Sequence, residues 1–409
     1  MSPDGGVGDR IRVYRRRRGL SQRQLAGLVG RSESWLSQVE RGILPVENLG
    51  ILIRLAEVLR VQVRVLTGVP FYLAPNGGVQ LGEVEGIRAA LSGCAEIESW
   101  LRSAPLGAEV PSLSELRQRV DQAWQLRQSS QYAQVARKLP DLIFASEAAT
   151  RHYVGDDRLE AYALMAETYQ VTRAVLRKIG ETQLAWIAGD RAVHAARAAE
   201  RPLELAVGAR ALGLVFLADG RLVEADRVVT AGLRGLEAQG PRRSRPSWSV
   251  WGALSLMGAL VAARKGDRAT AADYLNEAGR AAEEVGTDAN DLRTGFGPTN
   301  VAIHRVSVAV ELGDPLEALN RASEVDLSNL PDQFRERRSS LLIDVARAYS
   351  QRRDKGTAVL HLLEAERLAP QEVRYNFIVR EMLRDFLRRE GKLRTPGLWP
   401  LAQRVGVLN

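Results

Sequence analysis

GLSQRQLAGLVGRSESWLSQVERG, residues 19–42, decides the first part of the fold. Gly19 stops the helix before it, because a left-handed residue closes a helix C-terminus and glycine adopts that conformation without strain. Ser21 can cap the next helix, Gln22–Val29, with Gln24 at the third helical position of a capping box. Gly30 breaks the chain again, Ser32 caps a second short helix that runs to Arg41, and Gly42 closes it. Leu25, Ala26, Val29, Leu36 and Val39 fall on the inward faces. Glu33, Ser34, Ser37 and Gln38 fall outward on the second helix.

Working outward, the spacing predicts five short helices over residues 8–68: Gly8–Arg18, the two just described, Glu47–Leu59 and Val61–Thr67. Leu49, Leu52, Ile53, Ala56 and Leu59 make the apolar face of the fourth. Residues 1–68 hold twelve arginines, no lysine and six acids. Of the chain's net charge of +8, this first sixth carries +6. A concentrated basic module on a near-neutral bulk points to a nucleic-acid contact at one end. Two short helices crossing at a glycine turn form a helix-turn-helix, whose second helix can enter a major groove.

The pattern R-x3-G-L-S-Q-x2-L-A-x3-G-x-S-x3-L-S-x2-E-R-G resembles the Cro/C1-type (XRE-family) DNA-binding domain over residues 8–68. The resemblance implies phosphate anchoring by Gln22 and its neighbour Arg23, with Ser32 leading the reading helix and Glu33, Ser34, Ser37 and Gln38 as base readers. Glu33 would accept from a cytosine amino group and Gln38 would pair an adenine edge. An acid there also repels phosphates, and Glu33 can serve its own helix terminus instead. Trp35 would pack on the sugar-phosphate backbone, and Arg31 and Arg41 suit phosphates. Arg15 and Glu40 align with an internal ion pair. The run Arg15–Arg18 taken alone is an ordinary solvated surface.

The stretch 69–86, with two prolines and Gly77-Gly78, reads as a linker, and 391–409 as a C-terminal tail. Between them, residues 87–390 are rich in alanine and leucine and poor in strand signals. VFLADGRLVEADRVV, VAARKGDRATAADYL and AVELGDPLEALNRA share one joint: a helix ends at Gly220, Gly266 or Gly313, and Ala225, Ala271 or Ala318 follows five residues later. The glycine permits a tight turn, and the alanine lets the returning helix approach. A degraded copy lies at ARAYSQRRDKGTAVLHLLEAERLAP, and an earlier one in the segment that begins YALMAETYQ. The expectation is an all-α chain: a five-helix DNA-binding domain, then an irregular α-solenoid resembling tetratricopeptide repeats, over about residues 111–390. An irregular helical bundle is the competing architecture.

On the helix that begins at Pro298, Asn300, His304, Ser307 and Glu311 make one polar stripe, which is either a solvated face or an effector wall. Trp251 and Phe296 read as core, and GPRRSRPS, 240–247, as an exposed basic loop. The best apolar run, Trp251–Ala263, is too short for a membrane span. One cysteine, Cys94, excludes a disulfide framework and fits a reducing cytoplasm. The four histidines show no metal-ligand spacing, and there is no phosphate loop, nucleophile elbow or dinucleotide fingerprint. No enzyme activity, cofactor or metal is expected. The architecture resembles bacterial regulators in which the repeats sense a ligand and drive dimerisation. It implies a cytoplasmic homodimer on a double-stranded DNA operator, with a small-molecule or peptide effector. The alternative is an adaptor whose repeats bind a partner protein while the small domain tethers it to DNA.

Overall fold

The computed structural model describes residues 6–46, 49–59, 61, 65, 66, 79, 81–92, 110–240, 244–390 and 394–408. Among them are helices and turns and no strand. Four helices build the N-terminal unit: α1 (Val7–Arg17), α2 (Gln22–Leu28), α3 (Glu33–Glu40) and α4 (Leu49–Leu59). Ser21 and Gln24 form the reciprocal capping box, and the Ser32 hydroxyl accepts from the Trp35 amide. Leu25, Ala26, Val29, Leu36 and Val39 are all buried, as their spacing requires. A Cβ on Gly8 would fall 1.9 Å from the Val39 carbonyl oxygen, so only glycine lets α1 meet the end of α3 this closely. The expected helix Val61–Thr67 lies mostly outside the described residues, although Leu66 is buried in the same core.

The second part is a repeat-like array of antiparallel helices. It opens with α5 (Leu81–Leu91), which begins inside the stretch read as a linker. The rest of that stretch, Val79 apart, lies outside the described residues. Val84, Ile87 and Leu91 bury a stripe of α5 in the core of the first array helices. There follow α6 (Leu113–Gln128), α7 (Tyr132–His152), α8 (Gly155–Lys178) and α9 (Thr182–Ala198). The middle of the array is α10 (Pro202–Asp219), α11 (Leu222–Glu237), α12 (Arg245–Lys265) and α13 (Arg268–Val285). The end is α14 (Pro298–Leu312), α15 (Pro315–Ser323), α16 (Arg335–Gln351), α17 (Lys355–Leu368), α18 (Pro370–Tyr375), α19 (Phe377–Arg388) and α20 (Leu398–Arg404).

The joints repeat with one geometry. Gly220, Gly266 and Gly313 are left-handed, with φ of 79°, 81° and 78°. In each case the next amide donates to the carbonyl four residues before the glycine, at 2.8–2.9 Å, which satisfies a helix-end carbonyl. Ala225, Ala271 and Ala318 are wholly buried. The earlier copy turns at Gly180 with buried Ala185, and the degraded copy turns at Arg353, φ 64°, with buried Ala358.

Two further differences from the sequence reading concern α12 and α20. Helix α12 starts at Arg245, so the last residues of the 240–247 loop are its first turn, with Pro246 where a proline costs no hydrogen bond. By length and composition α12 could cross a membrane, yet 83% of its apolar window is buried within the protein. The apolar run therefore extends further than Trp251–Ala263. The segment 391–409 is more than a tail, because α20 buries Leu398 and Leu401 in the core of α16, α17 and α19. Two turns of helix are too short to show a period in sequence.

The array curls until its end meets its beginning. The Tyr132 hydroxyl donates to Glu372, the Ala133 amide donates to Gln371 at 3.2 Å, and the Val79 amide donates to the Tyr375 hydroxyl at 2.6 Å. Lys178 pairs with Glu372 at 2.7 Å. Halfway round, Gln128 bonds Asn290 at 3.1 Å, and Arg293 pairs with Asp121 and Glu167.

Candidate nucleic-acid interface and interior cavity

Glu40 organises the N-terminal unit. It is 1% exposed, and it accepts Arg15 Nη2 at 2.8 Å, Arg15 Nε at 2.5 Å and Gln22 Nε2 at 2.8 Å. The hydrogen bond to Glu40 also holds the Arg15 guanidinium pKa above its ordinary value. Three elements are thereby tied: α1 through Arg15, α2 through Gln22 and α3 through Glu40. The Arg15–Glu40 pair is the one that the resemblance implies. Gln22 joins it as a second donor, so one N–H assigned to phosphate serves the buried carboxylate instead.

Arg23, Arg31, Ser32, Glu33, Ser34 and Arg41 are exposed, and Ser37 and Gln38 are partly so. Gln38 Nε2 donates to the Ser34 hydroxyl at 3.2 Å, so two of the expected readers are held together on one face of α3. Arg41 Nε donates to the Ser37 carbonyl at 3.3 Å. Glu33 stands in the first turn of α3, where its charge also favours the helix dipole. Arg31 lies over the Trp35 ring at 5.8 Å. These two residues look onto a cleft of about 270 Å³ whose far side is Gly313, Pro315 and Gln351 of the array. Trp35, expected on a sugar-phosphate backbone, thus faces the protein's own second part.

The unit is docked on that second part. Phe216, Leu217, Leu222, Ala225 and Val261 join the core of α1–α4. Arg54 donates to the Lys265 carbonyl at 3.0 Å, and Arg389 to the Ile43 carbonyl at 3.4 Å.

A basic unit whose capped helices cross at a glycine turn, with short polar side chains exposed on the second, is a DNA-binding helix-turn-helix module. Residues 7–67 match the helix-turn-helix domain family. Over 115 residues the chain is 30% identical to the HTH-type transcriptional regulator SlrR of Bacillus subtilis (strain 168), an alignment covering 28% of this chain and 76% of that protein. The chain belongs to the helix-turn-helix transcriptional regulators, and DNA is its partner.

The stripe Asn300, His304, Ser307 and Glu311 is no solvated face. Asn300 and Glu311 are buried, and His304, Ser307 and Glu311 line a cavity of about 240 Å³ inside the curled array. His304 Nδ1 lies 2.8 Å from the Asn300 carbonyl oxygen, and Ser307 donates to Asp344 at 2.5 Å. Arg347 reaches Glu311 at 3.1 Å and Asp344 at 2.9 Å, while Arg264 lies 3.6 Å from Glu311. Burial, with the Arg337 and Arg210 charges nearby, pushes His304 down to about 3, so its ring is neutral near pH 7. Burial opposes the charge on Glu311, but Arg347 and Arg264 outweigh it and hold that carboxyl below its usual range. Trp251 and Phe296 are core residues, and a Cβ on Gly252 would strike the Phe296 ring at 1.9 Å.

The sequence reading missed the cavity's arginines. Arg173 and Arg177 stand four apart on α8, in QVTRAVLRK, and Arg210 stands in GARALG on α10. A legible signal was present: arginine set inside short, largely apolar runs of these helices, where a cation has no solvated face to occupy.

Proposed function

We propose that this regulator is a cytoplasmic homodimer that binds a palindromic operator, with its DNA affinity set by a ligand, peptide or protein held in the tetratricopeptide-like array. Each half-site takes one α3, and the two are separated by one helical turn, about 34 Å. Catalysis has no part in this reading. One observation carries the control: adjacent residues of α12 serve both sites. Arg264 lines the cavity and donates to the Leu217 carbonyl at 2.9 Å, and Leu217 packs in the core of α1–α4. The next residue, Lys265, offers its carbonyl to Arg54 of α4. A ligand that binds one position of α12 better than another shifts the attitude of α3 and the cleft beside Trp35.

The test compares the full chain with residues 1–70 on DNA fragments recovered by genome-wide mapping of bound sites. The expected result is weaker, steeply salt-dependent binding by the fragment, because it keeps the phosphate contacts and loses the dimer's gain. Equal affinity of the two proteins would refute the dimeric arrangement.

A further inference from the structure

The cavity is charged out of balance. Nine cationic side chains line it, against the carboxylates of Glu311, Glu336 and Asp344. Asp121, Glu167 and Glu372 reach lining cations from behind the wall. That leaves an excess of three positive charges among the described residues. The unmatched cations are identifiable. Arg127 pairs with Glu336, Lys178 with Glu372, Arg293 with Asp121 and Glu167, and Arg264 and Arg347 share Glu311. Arg173, Arg177, Arg210 and Arg337 have no described carboxylate within ion-pair distance, and only Arg337 has a carbonyl partner, Thr294, at 3.3 Å.

Arg173 is 4% exposed, and its Nε, like those of Arg177 and Arg210, has no hydrogen-bond partner. Burial and the neighbouring guanidinium groups lower the pKa of Arg173, and burial with Arg337 and Arg127 nearby lowers Arg210 to about 9. Neither group sheds its proton near neutral pH. Water can satisfy the N–H groups but cannot cancel the charge, and uncompensated buried charge is strongly unfavourable. A folded protein that keeps four such groups around one space is built for a counter-charge that arrives from outside.

We propose that this cavity binds a small oxyanionic ligand carrying about three negative charges, gripped by Arg173, Arg177, Arg210 and Arg337. The inference rests on the reading that the array holds an effector, and it names the effector's chemistry. The volume suits a compact phosphorylated or polycarboxylate molecule, since ligand pockets for drug-sized molecules run from roughly 300 to 1,000 Å³. The guanidinium forks accept either oxyanion in bidentate fashion. The stripe on α14 completes the wall with neutral donors and acceptors from His304 and Ser307.

The experiment follows thermal unfolding and calorimetric binding of the full chain with inorganic pyrophosphate and, separately, citrate, each against chloride at matched ionic strength. At saturating anion the midpoint should rise by about 3 °C or more. Pyrophosphate alone acting identifies a phosphorylated ligand, and citrate alone a polycarboxylate. Arg173→Met should weaken binding roughly 10- to 100-fold and, without anion, raise the midpoint, because it removes an unmatched buried charge. Arg210→Met should do the same, so either variant serves if the other fails to fold. Arg197→Met, at an exposed position, should leave the response intact. The proposal is overturned if neither anion shifts the midpoint beyond chloride, or if the cavity variants respond as Arg197→Met does. DNA affinity measured alongside separates the two readings: anion binding without a change in DNA affinity keeps the site and removes its control of DNA.

Discussion

Glu40 shows how one residue fixes the geometry of a DNA-binding unit. A carboxylate buried among three helices is tolerable only with its donors in place, so loss of Arg15 leaves an uncompensated charge. Arg15→Met is expected to cost about 3–5 kcal/mol locally, read as faster hydrogen exchange across α1–α3. The double variant Arg15→Met with Glu40→Leu should recover much of it, because the charge then goes with its partner. His304 gives a pH dependence of definite sign. Its pKa of about 3 in the folded chain lies below the ordinary 6.5, so the unfolded chain binds the proton first. The stability it contributes is complete above pH 6.5 and falls as the pH drops toward 3, by up to about 1.4 kcal/mol per pH unit. His304→Asn should flatten that part of the profile, measured as unfolding midpoints between pH 7 and 5. An unchanged slope would contradict a buried neutral ring.

At the scale of elements, the recurring unit is the joint. Gly180, Gly220, Gly266 and Gly313 each take the left-handed conformation, and the residue five later is a wholly buried alanine in every case. Three of these joints were legible because glycine and alanine recur at fixed separation. The last copy looked degraded because Arg353 stands where the others have glycine, although the turn and buried Ala358 are the same. A non-glycine residue in that conformation costs about 1–2 kcal/mol. Arg353→Gly is therefore expected to stabilise the chain by about 1 kcal/mol, and Gly266→Ala to destabilise it by a similar amount, both in denaturant unfolding. The start of α5 and the whole of α20 escaped the reading for another reason: the buried stripe of each becomes visible only against the helices that cover it, and α20 is in addition only 7 residues long.

Across the whole molecule, the DNA-binding unit is seated on the array it was expected merely to precede. Arg54 at Lys265 and Arg389 at Ile43 fix it from two directions, and the cleft beside Arg31 and Trp35 leaves the array standing next to α3. Loosening that seat should change DNA binding without touching a base-reading residue. Arg54→Ala, with the full chain on a mapped operator, is expected to shift the affinity measurably while leaving the sequence preference intact. A changed preference would place Arg54 in base reading instead.

The sequence by itself determined the helix-turn-helix: its caps, its glycine stops and its buried faces all depend on near neighbours at short, fixed spacings, while the Arg15–Glu40 tie, 25 residues apart, came from the family resemblance. It also determined most of the array's joints, for the same reason. Only the tertiary structure decided that the stripe Asn300–Glu311 faces inward, that Arg173, Arg177, Arg210 and Arg337 converge from three helices, and that α3 lies beside the array. Those facts depend on how far the array curls, which is the sum of many small packing angles between residues far apart in the chain, and no local pattern records that sum.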